Sequence, residues 1–194
     1  MRALGFAPGA WDLLGHSFGG YVALALNKQH PGELTRLVAS CTDGSEAPLP
    51  GDPPGPLDGL SPAEAAGIEN AWDRELDADT PAALREAWLD QLDYYAAGPE
   101  GAARLRDRWA GVTYQPGPNR QEEWGELEAL DALADVTVLA IAGEHDRMPR
   151  PLQQRIADAS PRGTLAVTEG AGHFPFAETP ERYWPVVARW LAEA

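Results

Sequence analysis

The sequence has little cysteine and lacks histidine or cysteine pairs at ligand spacing, which excludes two kinds of stabilising site. Cys41 is the one cysteine among 194 residues. With no second cysteine in the sequence, Cys41 cannot form an internal disulfide, which fits a protein from a reducing compartment. We expect Cys41 to serve as a small buried apolar residue. The four histidines and Cys41 are not spaced as metal ligands are. We therefore predict a protein without a disulfide framework and without a bound metal.

Long apolar runs are also missing from the chain. No stretch approaches the roughly 18 apolar residues of a membrane-spanning helix. Residues 1–10 contain too little apolar length for the core of a secretory signal. These absences predict a cytoplasmic protein that does not bind membranes.

Basic residues are scarce, and the charge is unevenly distributed. The net charge of −15 comes entirely from residues 43–135, which contain 21 acidic residues and 6 arginines. Nucleic acid and anionic membranes are therefore not expected as partners, because phosphate contacts need clustered Lys and Arg. The acidic segment indicates either a solvated helical surface or a negative potential that attracts cationic substrates.

The most informative motif near the amino end is Gly-His-Ser-Phe-Gly at residues 15–19. Apolar residues 11–14 predict a buried strand before the motif, and the apolar face of residues 21–26 predicts a helix after it. Glycine is expected at positions 15 and 19 because a side chain there would collide with the neighbouring strand or helix. The pattern predicts that Ser17 is exposed on a sharp turn, with the Phe18 N–H directed at a developing oxyanion. The alternative is a glycine-rich turn with a solvated serine.

Two later motifs supply the groups that a serine nucleophile needs. The apolar run 136–142 predicts a buried parallel strand that ends at Gly143-Glu144-His145-Asp146, and a helix and a strand at 164–167 then precede His173. Asp146 and His173 are thus expected at the same edge of adjacent strands. Asp146 could instead cap a helix, Glu144 could serve as the acid, and His173 could be an ordinary loop residue.

The remaining histidines are given no role in this chemistry. The alternation of side chains along a strand predicts that the side chains of His16 and His145 point away from the site. His30 lies at a helix end before a proline, where we expect a structural role.

The three motifs GHSFGG, AGEHD and GAGHFPFAETPE resemble those of the α/β-hydrolase family. The resemblance implies that Ser17 is the nucleophile, that His173 is the general base and later acid, and that Asp146 orients the imidazole and stabilises its cation. It implies that the backbone N–H of Phe18 contributes to the oxyanion hole. No cofactor is required, because hydrolysis uses water.

Residues 43–135 differ in character from the flanking segments, and we predict that they form a helical lid. A proline-rich stretch at 47–56 precedes helices predicted at 62–76, 81–96 and 101–109, and a return path through residues 114–119 and Trp124 leads to a helix at 126–134. The predicted domains are therefore a core of residues 1–42 and 136–194 and a lid of residues 43–135. Four aromatic residues of this segment are expected to pack its helices together and onto the sheet: Trp72, Trp88, Tyr94 and Trp109. In the family that the sequence resembles, such a lid covers the serine and forms the acyl pocket, so the resemblance implies an alternative role for these residues.

The resemblance covers about the last two thirds of the family pattern. The predicted fold is α/β: a partial α/β-hydrolase fold with the C-terminal half of a mostly parallel sheet, helices on both faces and a helical lid insertion. The first four strands and the loop with a second oxyanion donor have no counterpart in the sequence. The strand at 11–14 is therefore expected to be an open edge at which a second copy or a partner chain could pair.

The predicted function is a serine hydrolase that cleaves an ester or amide bond of a small molecule or peptide through an acyl-enzyme. The position and acidity of the lid resemble those of proline iminopeptidases. Carboxylesterases and carbon–carbon bond hydrolases share the same three residues, so they remain alternatives. A further alternative is a non-catalytic remnant or one subunit of a split hydrolase.

Overall fold

The computed structural model describes residues 7, 9, 11–44, 57–116 and 129–193. These residues contain a four-stranded parallel sheet in the order β1-β2-β3-β4. The strands are β1 (Trp11–His16), β2 (Leu34–Ser40), β3 (Thr137–Gly143) and β4 (Gly163–Thr168). Because all four strands are parallel, their carboxyl ends lie along one edge.

Seven α-helices and one 3-10 helix surround this sheet in the described part of the chain. They are α1 (Phe18–Gln29), α2 (Pro62–Leu76), α3 (Pro81–Tyr95), α4 (Gly98–Trp109), a 3-10 helix (Leu130–Leu133), α5 (Arg150–Asp158), α6 (Pro175–Glu178) and α7 (Pro180–Glu193). Helices α2, α3 and α4 fall between β2 and β3 in the sequence, and we call them the inserted helices.

Alternate residues of the central strands pack against helices on opposite faces. Leu37 and Val138 share a buried cluster with residues of α1 and α5, whereas Val38 and Leu139 share a second cluster with Tyr183 of α7. The apolar runs of β2 and β3 follow from this arrangement, because both faces of each strand are covered. The predicted α/β class and the helices on both faces are confirmed.

Helices α3 and α4 form a third buried cluster with the segment after β4. Leu92 and Leu105 pack there with Phe174, and the indole rings of Trp88 and Trp109 meet edge to face at 5.9 Å between centroids. The start of α2 is fixed by a capping box, in which Ser61 accepts the Glu64 N–H and Glu64 accepts the Ser61 N–H. The predicted packing role is therefore confirmed for Trp88 and Trp109.

Two element ends reflect the local backbone conformation. Strand β2 ends at Ser40, because Cys41 adopts a left-handed conformation with φ 48°. Helix α4 begins at Gly98 rather than at residue 101, and Gly98 has φ 73°, a conformation that glycine adopts without strain.

Some predictions fall on residues that are not described. The proline-rich stretch 47–56, Trp124 and residues 126–128 of the helix expected at 126–134 lie outside the described residues. Of the described remainder of that helix, residues Leu130–Leu133 form the 3-10 helix. The division into a core and a lid therefore stays a prediction. Strand β1 is an outer strand of the described sheet, and pairing with another chain at this edge also stays a prediction. No helix in the described ranges is both long enough and apolar enough to cross a bilayer.

Candidate active site

The turn between β1 and α1 holds Ser17 in a strained backbone conformation. Its φ of 50° and ψ of −123° lie outside the regions that non-glycine residues favour. Such a conformation costs about 1–3 kcal/mol and persists only where neighbours impose it. Here the Ser17 N–H donates to the Ser40 carbonyl at 2.9 Å, and the Thr42 hydroxyl donates to the Ser17 carbonyl at 2.8 Å. The end of β2 therefore fixes the turn.

The glycines of the turn have different reasons for being small. A Cβ on Gly15 would collide with the backbone of Gly19, as expected from the sequence. The same expectation for Gly19 is wrong, because a Cβ there would meet no described atom within 4 Å. Gly20 is the second position that needs glycine, since its Cβ would collide with the Thr42 side chain. The α1 residue that faces β2 is thus Gly20, whereas Gly19 faces outward.

Hydrogen bonds join the three predicted side chains into one chain. The Ser17 Oγ lies 2.8 Å from His173 Nε2, and His173 Nδ1 lies 3.0 Å and 3.2 Å from the two carboxylate oxygens of Asp146. The Asp146 Oδ1 atom also accepts the Met148 N–H at 2.9 Å. With the proton on Nδ1 donated to Asp146, Nε2 is left as an acceptor for the serine hydroxyl.

Both partners of Ser17 are withdrawn from solvent. The His173 side chain is 5% exposed and the Asp146 side chain 1% exposed. Asp146 stands three residues beyond β3, and His173 follows β4, so the carboxyl ends of two adjacent parallel strands bring them together. An imidazole held in this way can remove the proton of the serine hydroxyl.

The alternative acid and two of the other histidines lie elsewhere. The Glu144 carboxylate accepts the Gly170 N–H at 2.8 Å and takes no part in the Ser17 chain. The His145 side chain is 58% exposed and lies 3.6 Å from that of Glu144. His30 is exposed at the end of α1.

The expectation that the His16 side chain points away from the site is wrong. Its ring centroid lies 5.0 Å from that of His173, 5.2 Å from that of Phe174 and 4.9 Å from that of Phe176. The reason is that the segment after β4 passes over the end of β1, so the last side chain of β1 is enclosed as well. Burial and the neighbouring His173 lower the pKa of His16 to about 3, which keeps the ring uncharged at neutral pH.

A cavity of about 150 Å³ opens beside Ser17. Besides Ser17, Asp146 and His173, the described lining consists of Trp72, Tyr94, Tyr95, Arg147 and Met148. Burial raises the pKa of both Tyr94 and Tyr95 to about 12, so their hydroxyls stay protonated. The Arg147 guanidinium lies 4.9 Å from the centroid of the Tyr94 ring. Sequence reasoning missed Arg147 and Met148, although their position directly after Asp146 was an available signal.

Cys41 lies against the same carboxylate. Its Sγ, one Asp146 oxygen and one His173 ring nitrogen lie within 4.8 Å of one another. Burial and the Asp146 carboxylate both raise the pKa of the thiol. The 3.0 Å between His173 Nδ1 and Asp146 Oδ1 is a direct hydrogen bond, shorter than the roughly 3.4 Å between two tetrahedral ligands of one ion. We therefore interpret these three residues as the hydrogen-bonded pair of Asp146 and His173 with Cys41 packed beside it, and not as the ligands of a metal ion.

Known proteins resemble this chain over almost its whole length. The family model described as the alpha/beta hydrolase family matches residues 3–186. The chain is 30% identical to the 2-hydroxymuconate semialdehyde hydrolases of Pseudomonas putida and of Pseudomonas sp. strain CF600. The matches cover 100% and 94% of this chain and 66% and 62% of those proteins, so the chain spans a little under two thirds of their length.

Solved structures resemble the fold at lower identity. A meta-cleavage product hydrolase from Pseudomonas fluorescens IP01 superposes with a TM-score of 0.63 at 21% identity, covering 100% of this chain and 68% of that one. An alpha/beta fold family hydrolase from Bacillus anthracis gives a TM-score of 0.69 at 20% identity, covering 97% and 69%. With its parallel sheet, its strained serine turn and the matched family model, the chain belongs to the α/β-hydrolase family.

Proposed function

We propose that Ser17, His173 and Asp146 act as nucleophile, general base and orienting acid of a serine hydrolase. The observation that carries the proposal is the continuous hydrogen bonding from Ser17 Oγ through the His173 imidazole to Asp146. A serine hydroxyl is a weak nucleophile by itself, and a base at 2.8 Å is what activates it. The buried Asp146 carboxylate would stabilise the imidazolium that forms.

The reaction follows from these contacts. Ser17 Oγ attacks the substrate carbonyl carbon while His173 Nε2 takes the hydroxyl proton, which gives a tetrahedral intermediate with a negative oxygen. The bond to the leaving group then breaks, and His173 returns the proton to that group. In the second half, water deprotonated by His173 attacks the acyl carbon of the acyl-enzyme. The bond to Ser17 Oγ then breaks, His173 returns the proton to that oxygen, and the acid is released.

The backbone N–H of Phe18 is our proposed donor to the oxyanion. Phe18 is the first residue of α1, directly after Ser17 in the chain. First-turn amides point out of the helix end and bear the positive end of its dipole. A negative oxygen formed on a carbonyl attacked by Ser17 would lie close to this amide.

For the substrate, we propose a carbonyl compound that carries a carboxylate and is cleaved at a carbon–carbon bond. Two observations support this class. The relatives at 30% identity are named for hydrolysis of 2-hydroxymuconate semialdehyde. In addition, the cationic Arg147 lines the otherwise largely aromatic cavity beside Ser17 and suits an anionic substrate. In this reaction His173 would give its proton to the leaving carbon.

Proline-iminopeptidase specificity receives less support from the cavity. An unblocked amino terminus is a cation, and its recognition needs a free carboxylate. Among the described residues that line the cavity, Asp146 is the only carboxylate, and it is already hydrogen-bonded to His173 and Met148. The acidic residues of the inserted helices are better explained as a solvated surface.

Labelling with a fluorophosphonate probe tests the proposed nucleophile. The wild-type chain should be labelled, and Ser17→Ala should abolish labelling. Ser61→Ala is the matched control, because Ser61 is an exposed helix cap, and it should be labelled like the wild type. A folded wild type that resists the probe, or a Ser17→Ala variant that still reacts, would contradict the proposal.

The proposed substrate class needs a separate assay. Hydrolysis of 2-hydroxymuconate semialdehyde should exceed that of a proline arylamide, and Arg147→Gln should raise KM for the anionic substrate about tenfold while leaving a neutral aryl ester unaffected. Equal effects of Arg147→Gln on both substrates would end the carboxylate assignment. Faster cleavage of an unblocked proline arylamide than of its acetylated form would favour the iminopeptidase.

A further inference from the structure

A buried carboxylate outside the proposed triad holds the segment that carries His173. Glu178, at the end of the short helix α6, is 1% exposed. Its Oε1 accepts the N–H groups of Gly172 at 3.1 Å and of Phe174 at 3.0 Å, the two residues that flank His173. One carboxylate oxygen therefore bridges both sides of the proposed base.

The other oxygen of Glu178 connects this segment to the inserted helices. Oε2 accepts the N–H of Ala97 at 2.7 Å, and Ala97 is the cap residue that precedes α4. The N–H of His173 itself donates at 2.8 Å to the carbonyl of Tyr95, the last residue of α3. Three consecutive backbone amides are thus held either by Glu178 or by the α3–α4 junction.

Two glycines near Glu178 stand where a side chain would not fit. A Cβ on Gly101 of α4 would stand 2.6 Å from Glu178 Oε2, and a Cβ on Gly172 would collide with the Tyr95 carbonyl. Arg104 of α4 donates to the Glu178 carbonyl at 3.1 Å. The Glu178 side chain is therefore enclosed by α4, and its hydrogen bonds are made away from solvent, where they are stronger than in water.

We infer that Glu178 is a positioning residue, which sets the His173 imidazole against Ser17 by tying the His173 segment to the junction between α3 and α4. The inference rests on the proposed function, because it assigns a purpose to the Ser17–His173 hydrogen bond. The Glu178 carboxylate accepts hydrogen bonds from the backbone of residues 97, 172 and 174, so we expect its effect to pass through the backbone of residues 172–174.

The test replaces Glu178 with glutamine, which keeps the size but exchanges one acceptor oxygen for a donor NH₂. At least one of the three amide donors then faces another donor in a buried place. Because a shift of about 1 Å in a reacting group costs about 100-fold in rate, kcat should fall by roughly that factor with little change in KM. Glu181→Gln is the matched control, since Glu181 is exposed in the first turn of α7.

A second variant disturbs the Glu178 carboxylate by changing a residue of α4 instead of Glu178 itself. Gly101→Ala places a methyl group against Glu178 Oε2 without altering any residue of the hydrogen-bonded chain. It should lower kcat in the same way as Glu178→Gln but less severely. This variant keeps the inference testable if Glu178→Gln does not fold.

An NMR measurement separates this inference from the proposed function. The proton of His173 Nδ1, shielded from solvent in its hydrogen bond to Asp146, should give a downfield resonance in the wild type and in Glu181→Gln. In Glu178→Gln or Gly101→Ala it should broaden or disappear, whether or not the chain labels with a fluorophosphonate. If a folded Glu178→Gln keeps both this resonance and the wild-type kcat, the inference is overturned.

Discussion

The ring of Tyr95 stacks on the imidazole of His173, with 5.0 Å between the centroids and 27° between the planes. The same residue accepts the His173 N–H through its carbonyl. Tyr95 ends an inserted helix, whereas His173 follows the last strand of the sheet. The inserted helices therefore do more than enclose a cavity, because one of them supports the proposed base directly.

We expect Tyr95→Ala to weaken catalysis and Tyr95→Phe to leave it nearly unchanged. The alanine variant removes the ring face on which His173 rests, while phenylalanine keeps that face and loses only the hydroxyl that accepts the Trp72 indole N–H at 3.1 Å. A stacked aromatic pair contributes about 0.5–1.5 kcal/mol, which corresponds to a roughly two- to tenfold loss. Rates of fluorophosphonate labelling on folded samples measure the effect. Equal losses in both variants would show that the Trp72 hydrogen bond matters instead of the stacking.

Substitutions of Asp146 and Glu144 show which of the two carboxylates orients the His173 imidazole. Asp146→Asn should lower kcat by about 10⁴, because an amide NH₂ facing Nδ1 favours the wrong imidazole tautomer. Glu144→Gln should retain most activity, since Glu144 accepts the Gly170 N–H and does not contact His173. Steady-state rates on one substrate provide the comparison. A larger loss in Glu144→Gln than in Asp146→Asn would reverse the assignment.

The elements of the sheet and the chain positions of the three proposed site residues could be predicted because their signals are local. The serine turn is encoded within residues 15–20, and the strand before Asp146 is a continuous apolar run. Parallel strands bring their carboxyl ends to one edge, so local patterns were enough to place Ser17, Asp146 and His173 together.

The contacts that support His173 could not be predicted in this way. Tyr95 and Ala97 reach the His173 segment across about eighty residues of sequence, and no local periodicity records that approach. Glu178 lies within a quoted motif, yet its sequence position alone does not show that its carboxylate turns back onto residues 172 and 174. The misplacement of His16 has the same origin, because strand alternation says nothing about a segment that crosses over the strand end.

The two glycines after Phe18 should respond oppositely to alanine. Gly20→Ala places a methyl group into the Thr42 side chain and should destabilise the fold by about 1–3 kcal/mol. Gly19→Ala enters open space within a helix and should be neutral or stabilise by up to about 1 kcal/mol. Midpoints of urea unfolding at fixed protein concentration measure both changes. A destabilised Gly19→Ala would indicate a contact to Gly19 beyond those described.

The buried His16 should make the fold sensitive to acid. Its folded-state pKa of about 3 lies below the value of 6.5 expected in the unfolded chain, so between those pH values the unfolded chain binds more protons. Its contribution to stability is therefore constant above about pH 6.5 and declines as the pH falls toward 3, by at most about 1.4 kcal/mol per pH unit. His16→Phe removes this titration while keeping an aromatic ring among His173, Phe174 and Phe176. Free energies of unfolding measured in urea from pH 7.5 to 4.5 should decline more steeply with acid for the wild type than for His16→Phe. The carboxylates are the same in both chains, so their titration drops out when the two free energies of unfolding are subtracted at each pH. Parallel curves would mean that His16 is already solvated and protonated in the folded state.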